Sequence, residues 1–427
     1  MTSGRESFDA LWTAIEPVGR DGRTGGYRRF AWTAEDATLR EWFAGEAAAR
    51  GLDLVVDRAG NQWAWWGDPD AAPSGGVVVG SHLDSVPDGG AYDGPLGVVS
   101  AFAALDALRA GGFEPARPIG VVNFVDEEGA RFGVACAGSR IITGALDADR
   151  ARGLRDGDGT TMAEAMARAG HDPARVGPDP EALRRVGVFV ELHVEQGRGL
   201  VDLGRPVAVA SSIWPHGRWR LELLGEADHA GTTRLADRRD PMLTLASVIT
   251  TARSAAAAHG CVATIGKVHV TPNGVNAIPS AVHAWLDARG PYEPGVRAVV
   301  GEVAQAAGGA GAAEESFTAA TVFPAGLRDR LAALLDDAPV LGTGAGHDAG
   351  ILAAAGVPAA MLFVRNPTGV SHSPAEHASY EDCLAGVAAL ARVIEKLAVE
   401  DPVVDTPAIE NPGVENPGVG DPAGGAG

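Results

Sequence analysis

The chain has 427 residues, 46% of them hydrophobic and 21% charged, the balance of a globular protein long enough for about two domains. Its formal net charge of −20 argues against nucleic acid and anionic membrane surfaces as partners. Three scattered cysteines, Cys136, Cys261 and Cys383, exclude a disulfide framework or a cysteine-rich zinc site, and no apolar run has signal-peptide or membrane-span length, so the cytoplasm is the expected location.

From about Gly51 to Ala210, strand-like and helix-like segments alternate. GVVVGSH (76–82) predicts a buried strand, and PLGVVSAFAALDALRAGG (95–112) a helix ended by glycine. PIGVVNFVDEEG (118–129) and VGVFVELHVEQG (186–197) predict two further buried strands. Such alternation indicates a parallel or mixed α/β sheet. The character changes near Ser211. WRLELLGEADHAG (219–231) alternates like a half-exposed strand, and 240–260 reads as a helix. CVATIGKVHV (261–270) and AVHAWLDAR (281–289) read as strands joined through PNGVNAIPS, and 295–309 reads as a helix. This pattern predicts a smaller α+β domain inserted into the first. Beyond residue 325 the α/β character returns, with helices around 327–335 and from His347, the strand PAAMLFV (358–364) and a last helix over 381–397. The expected division is 1–210 and 326–399 for the larger domain and 211–325 for the insert. Residues 400–427 repeat ENPGV and carry six acids and no bases; a tail of that composition cannot bury a core and is expected to be disordered.

Polar groups recur where apolar runs end: His82, then Glu127 and Glu128, then His193 and Glu195, then His372 after a fourth run. In open α/β sheets ligands sit outside the carboxyl ends of strands. Imidazoles and carboxylates without cysteine suit zinc first, with manganese, cobalt or nickel as alternatives. Two adjacent metals need a shared ligand, and Asp93, beside Gly94, is placed for bridging because glycine lets the backbone turn tightly. Asp84, two residues after His82, is the expected partner for that imidazole's other nitrogen. The adjacent glutamates allow one to bind metal while the other takes a proton from the attacking water.

The motifs GSHLDSVPDGGAYDGPLGV, FVDEEGARFG, ELHVEQG, ADHAGTT, GVNAIP, GAGHDAG and GVSHSPAE closely resemble the di-metal amidohydrolases that include N-carbamoyl-L-amino-acid hydrolase, allantoate amidohydrolase and β-ureidopropionase, within the zinc aminopeptidase and carboxypeptidase clan. The likeness runs from about residue 8 to 398. It implies an α/β, mixed-sheet, zinc-peptidase-like catalytic domain with an inserted α+β domain for dimerisation and lid closure. It also implies two divalent metal ions per subunit, His82 and His193 on one, Glu128 and His372 on the other, and Asp93 bridging. Glu127 would be the general base. His229 would reach the partner subunit's site to stabilise the oxyanion. Asn276 and Arg289 would hold the substrate carboxylate, also across a homodimer, and Gln196 would contact substrate.

The implied reaction is hydrolysis of the ureido C–N bond of an N-carbamoyl-L-amino acid or allantoate by a hydroxide bridging the metals. An N-formyl- or N-acyl-amino-acid deacylase, an aminopeptidase of the same clan, and a catalytically silent binding relative remain open. Two departures from the family pattern stand out: Arg234 where proline is common, and Trp214-Pro215-His216 where small aliphatic residues and glycine are usual. The second lies near the substrate and bears on its identity.

Overall fold

The valine-rich runs are strands covered on both faces. In the computed structural model, which describes residues 2–309 and 311–399, they belong to a nine-stranded mixed sheet. Its order is Asp53–Val56, Gln62–Trp66, Ile119–Phe124, Gly76–His82, Val186–Val194, Ala359–Val364, Val207–Ile213 and Thr321–Val322, with Val340–Thr343 also paired to Val207–Ile213. The central four strands are mutually parallel. Val77, Val79, Val190, Leu192 and Leu362 pack with the helices Thr2–Ile15, Ala34–Ala49, Pro95–Ala110 and Tyr380–Val399. Val78, Val122, Phe189 and Met361 pack on the other side with Ala137–Thr143, Met162–Arg168 and Asp348–Ala354. Neighbouring side chains in a strand point to opposite faces, so a strand covered twice reads as a continuous apolar run. Truncating a large member such as Phe102 (0% exposed) to alanine costs about 3–5 kcal/mol.

The second sheet is antiparallel, in the order Ala313–Thr318, His216–Leu224, Ala281–Arg289, Val262–Thr271. Here the alternation is strict. Val282, Ala284, Leu286 and Ala288 face the helices Pro241–Ala258 and Glu293–Ala306. The intervening residues of the same strand, His283, Trp285, Asp287 and Arg289, take the opposite face. Asp240 caps the first helix by accepting the Met242 N–H at 2.9 Å. Only Trp214 and Pro215 separate the main-sheet strand Val207–Ile213 from His216–Leu224, the first strand of the other sheet.

The predicted central strands and long helices are present within a few residues of expectation. The helices before residue 50 and the strands Asp53–Val56, Gln62–Trp66, Val207–Ile213 and Ala313–Thr318 were not singled out from sequence. Ser211 and Ser212 still belong to a main-sheet strand, which their polarity disguises. The acidic tail lies outside the described residues. Among the described residues no helix is long and apolar enough to cross a membrane.

Candidate metal centre and active site

His82 and His193 end adjacent parallel strands on the same sheet face. The register pairs Val78 with Phe189 and Gly80 with Glu191, so side chains two residues on become neighbours, and the two imidazole centroids lie 5.9 Å apart. Each Nδ1 faces a carbonyl oxygen, that of Asp84 for His82 at 3.2 Å and that of Val194 for His193 at 2.9 Å. A carbonyl only accepts, so Nδ1 carries the proton and each Nε2 keeps its lone pair. Gly94 makes room for this arrangement. Its φ is +88°, and a Cβ there would lie 2.4 Å from the His82 ring, so the loop carrying Asp93 needs glycine for both conformation and space.

Asp93 sits between two groups of residues. Its Oδ1 is 3.1 Å from His193 Nε2 and 3.8 Å from His82 Nε2, and its Oδ2 is 3.5 Å from His372 Nε2. Glu128 Oε2 approaches the same His372 nitrogen at 3.5 Å. Asp84, the expected partner of His82, does more than that. Its Oδ1 and Oδ2 accept the backbone N–H groups of Glu127 and Glu128 at 3.1 and 3.0 Å, and Oδ1 is 3.3 Å from His82 Nδ1. Glu127 Oε2 is 3.6 Å from His82 Nε2, and its Oε1 accepts the Cys136 thiol at 3.3 Å.

These residues fit divalent metal. Ligand atoms of His82, Asp93 and His193, and of Asp93, Glu128 and His372, lie within 4.8 Å of one another in each set. The Nε2 atoms of His82 and His193 and Glu128 Oε1 are buried without a hydrogen-bond partner. A bare Nε2 facing a carboxylate oxygen at 3.1 Å is repulsive unless a proton or a metal ion lies between them. Burial pushes Glu127 well above the usual carboxylate range. Burial, then the charge of Asp93, pushes Glu128 up to about 8.

Several contributors were missed from sequence. Glu376 Oε1 accepts the N–H groups of Tyr92 and Asp93 at 2.9 and 3.0 Å, and Ser371 Oγ donates to Asp93 Oδ2 at 3.0 Å. Both stand in GVSHSPAE, where His372 alone has an evident ligand chemistry. His347 stacks edge-on to His193 at 4.5 Å between centroids. Glu191 also lies close to His193, but its oxygens already accept Ser81 Oγ at 2.7 Å and the Ala349 N–H at 2.9 Å. Glu195 is engaged locally. Its carboxylate accepts the N–H groups of Gly199 and Leu200 at 2.6 and 3.0 Å, at the start of the helix Gly199–Leu203.

A cavity of about 1050 Å³ opens over the cluster, lined by Asp93, Glu127, Glu128, Gln196 and His372 together with Trp214, His216 and Arg289. Gln196, expected to contact substrate, reaches the cavity while its Nε2 donates to Asp93 Oδ2 and Ser371 Oγ, both at 2.9 Å. Arg289 lines its own chain's cavity. Asp287 takes its Nε and Nη2 at 2.7 and 3.1 Å, and Gly344 O takes Nη1 at 2.9 Å. His229 and Asn276 stand away from this cavity, exposed on a small ribbon in which His229 pairs with Ala277. His229 Nδ1 accepts the Gly231 N–H at 3.0 Å, which leaves the proton on Nε2. Arg234 is a surface residue paired with Asp237 at 2.7 Å.

Comparison with known proteins gives the family and the class of reaction. Residues 78–396 match the model of Peptidase family M20/M25/M40. An N-carbamoyl-L-amino acid amidohydrolase of Geobacillus stearothermophilus is 37% identical over 91% of this chain and 98% of its own length. An allantoate amidohydrolase of Escherichia coli is 30% identical over 93% of this chain and 99% of its own. The crystal structure of a hydantoinase/carbamoylase family amidase from Burkholderia multivorans superposes with a TM-score of 0.81 at 27% identity, over 93% of this chain and 98% of that one. The chain therefore belongs to Peptidase family M20/M25/M40 and is an amidohydrolase, a hydrolase of carbon–nitrogen bonds.

Proposed function

We propose that this enzyme is a di-metal amidohydrolase that cleaves the carbamoyl C–N bond of an N-carbamoyl-L-amino acid or of allantoate. The observation that carries the reading is the division of Asp93, with Oδ1 toward His82 and His193 and Oδ2 toward His372. One carboxylate shared between two ligand sets is what a metal pair requires. His82 and His193 would hold one ion, Glu128 and His372 the other, with zinc the first candidate for this donor set. When bound, such ions polarise the substrate carbonyl and acidify water.

Glu127 takes the proton of the attacking water and returns it to the leaving nitrogen. Its buried position beside the proposed ligands His82 and Glu128 suits a base that takes a proton in one step and returns it in the next. Arg289 keeps two N–H groups beyond those engaged by Asp287 and Gly344, and these grip the substrate carboxylate in the same chain's cavity. His229 and Asn276 act on the neighbouring subunit of a homodimer, where His229 Nε2–H stabilises the oxyanion. Support for the dimer comes from the edge strand Val262–Thr271 and the neighbouring helix, which expose Val262, Val268, Met242, Leu243 and Ile249. Three free cysteines accord with a cytoplasmic setting. An N-carbamoyl-L-amino acid would yield amino acid, carbon dioxide and ammonia.

The test is a panel on metal-reconstituted enzyme: allantoate, N-carbamoyl-L-amino acids, N-carbamoyl-β-alanine, N-formyl-L-glutamate and a dipeptide, with amine and ammonia both quantified. Ammonia from a ureido compound is expected. Amine without ammonia, from formyl or peptide substrates only, would overturn the ureido reading and keep the metal site.

A further inference from the structure

One stretch of the cavity lining is apolar, Ile213, Trp214, Leu341 and Ile351, and facing glycines make room for it. The Trp214 backbone N–H donates to Thr343 O at 2.8 Å, and the indole lies on the following loop. A Cβ at Gly342 would come within 2.3 Å of Trp214 Nε1, and one at Gly344 within 3.2 Å of its Cε3. Ile213 lies on Gly350 in the same way, with 2.4 Å from its Cδ1 to a Cβ placed there. Three positions on the facing segment thus lack side chains where two apolar ones project. The indole stays half-buried, and with Ile213, Leu341 and Ile351 it lines the cavity. Its one polar atom is turned against Gly342.

This wall lies on the path a substrate would take. Arg289 Nη1 bonds Gly344 O at 2.9 Å, so guanidinium and indole flank the same glycine. Three residues further on, His347 stacks on His193 at 4.5 Å, and three residues span at most about 10 Å. A molecule with its carboxylate at Arg289 and its carbonyl at the metal ligands therefore runs along this loop. The substituent on its central carbon then meets the wall. A second ureido group laid against the indole face and these aliphatic side chains would find no hydrogen-bond partner in them, which is costly; an apolar group would gain contact area.

We propose that Trp214 is a specificity-determining residue, and that the wall it forms takes the large apolar or aromatic side chain of an N-carbamoyl amino acid. This rests on the ureido-hydrolysis reading above and narrows its substrate class. The test compares kcat/KM for N-carbamoyl-L-phenylalanine, N-carbamoylglycine, N-carbamoyl-L-aspartate and allantoate, in the wild type, Trp214→Ala and Trp214→Phe. The wild type should favour the phenylalanine derivative over each of the others by tenfold or more, in the range that apolar pockets achieve. Trp214→Ala should collapse the phenylalanine-to-glycine ratio about tenfold, chiefly through KM, and Trp214→Phe should restore most of it. A wild-type preference for allantoate or the aspartate derivative would overturn the inference while leaving the ureido reading intact, and so would a ratio unchanged in Trp214→Ala. Failure of every ureido substrate to release ammonia would overturn both. Should Trp214→Ala not fold, the wild-type preferences and the Trp214→Phe ratio decide.

Discussion

Asp84 holds Glu127 in place through the backbone: Asp84 Oδ1 accepts the Glu127 N–H at 3.1 Å. The same carboxylate holds Glu128 through Oδ2 at 3.0 Å and faces His82 Nδ1 at 3.3 Å. One buried side chain thus orients the proposed base and a proposed ligand on each side of the proposed metal pair. An asparagine there would set an N–H against another N–H. Replacing such outer partners typically costs 10–100-fold in metal affinity, and Asp84→Asn should fall in that range. Metal titration monitored by activity and by bound-metal content checks it; unchanged affinity would assign Asp84 to folding alone.

Gly94→Ala should damage both fold and site. The position needs φ +88° and leaves no room beside the His82 ring. A non-glycine residue forced into such a conformation costs about 1–3 kcal/mol, before the clash is counted. A lowered Tm and weakened metal binding are expected together, measured by calorimetry with and without added metal.

The carboxyl cluster makes metal binding depend on pH. In the metal-free protein, burial and then Asp93 raise Glu128 from 4.5 to about 8, and burial and then Asp93 raise Glu376 to about 7. An acid whose folded pKa is raised contributes stability that is fully present below its unfolded value and lost as pH rises through the folded one. The metal-free protein should therefore lose Tm between about pH 4.5 and 8, the range spanned by the two Glu128 values. Metal must displace those protons, so apparent affinity should rise from pH 6 to 8.5 with proton release. Calorimetric titration in buffers of different ionisation enthalpy counts the protons; a pH-independent affinity would contradict the cluster's assignment as ligands.

The dimer assignment separates two variants. Val268→Asp, on the exposed edge strand, should give monomers by light scattering and reduce activity, because His229 could no longer serve a neighbour. Mixing His229→Ala with Glu127→Gln chains should restore activity. Random assortment makes half of the dimers mixed, each with one intact site, so about a quarter of wild-type turnover is expected. No recovery in demonstrated mixed dimers would mean that each chain completes its own site.

The sequence was most legible where physics is local. Strands buried on both faces show as unbroken valine runs, and His82, Glu127, Glu128 and His193 stand out because polar groups at the ends of such runs are anomalous. The short strands were hidden, since pairs such as Thr321–Val322 carry no period to detect. Glu376 was hidden too. It lies 283 residues from Asp93 and meets it only through a backbone hydrogen bond, a relationship that no spacing announces. Arg289 was recognisable as a carboxylate-binding type, but which chain's cavity it lines depended on the packing of its strand's end against Gly344.

The central claim is that Glu127 is the base of a metal-dependent ureido hydrolase, and Glu127→Gln tests it most directly. Metal content and ammonia release from the best ureido substrate should be measured on the same reconstituted samples. We expect two ions per chain in both proteins and a loss of turnover of at least ~10²-fold in the variant, the scale of general-base catalysis. Wild-type-like ammonia release from a fully loaded Glu127→Gln enzyme would contradict the account.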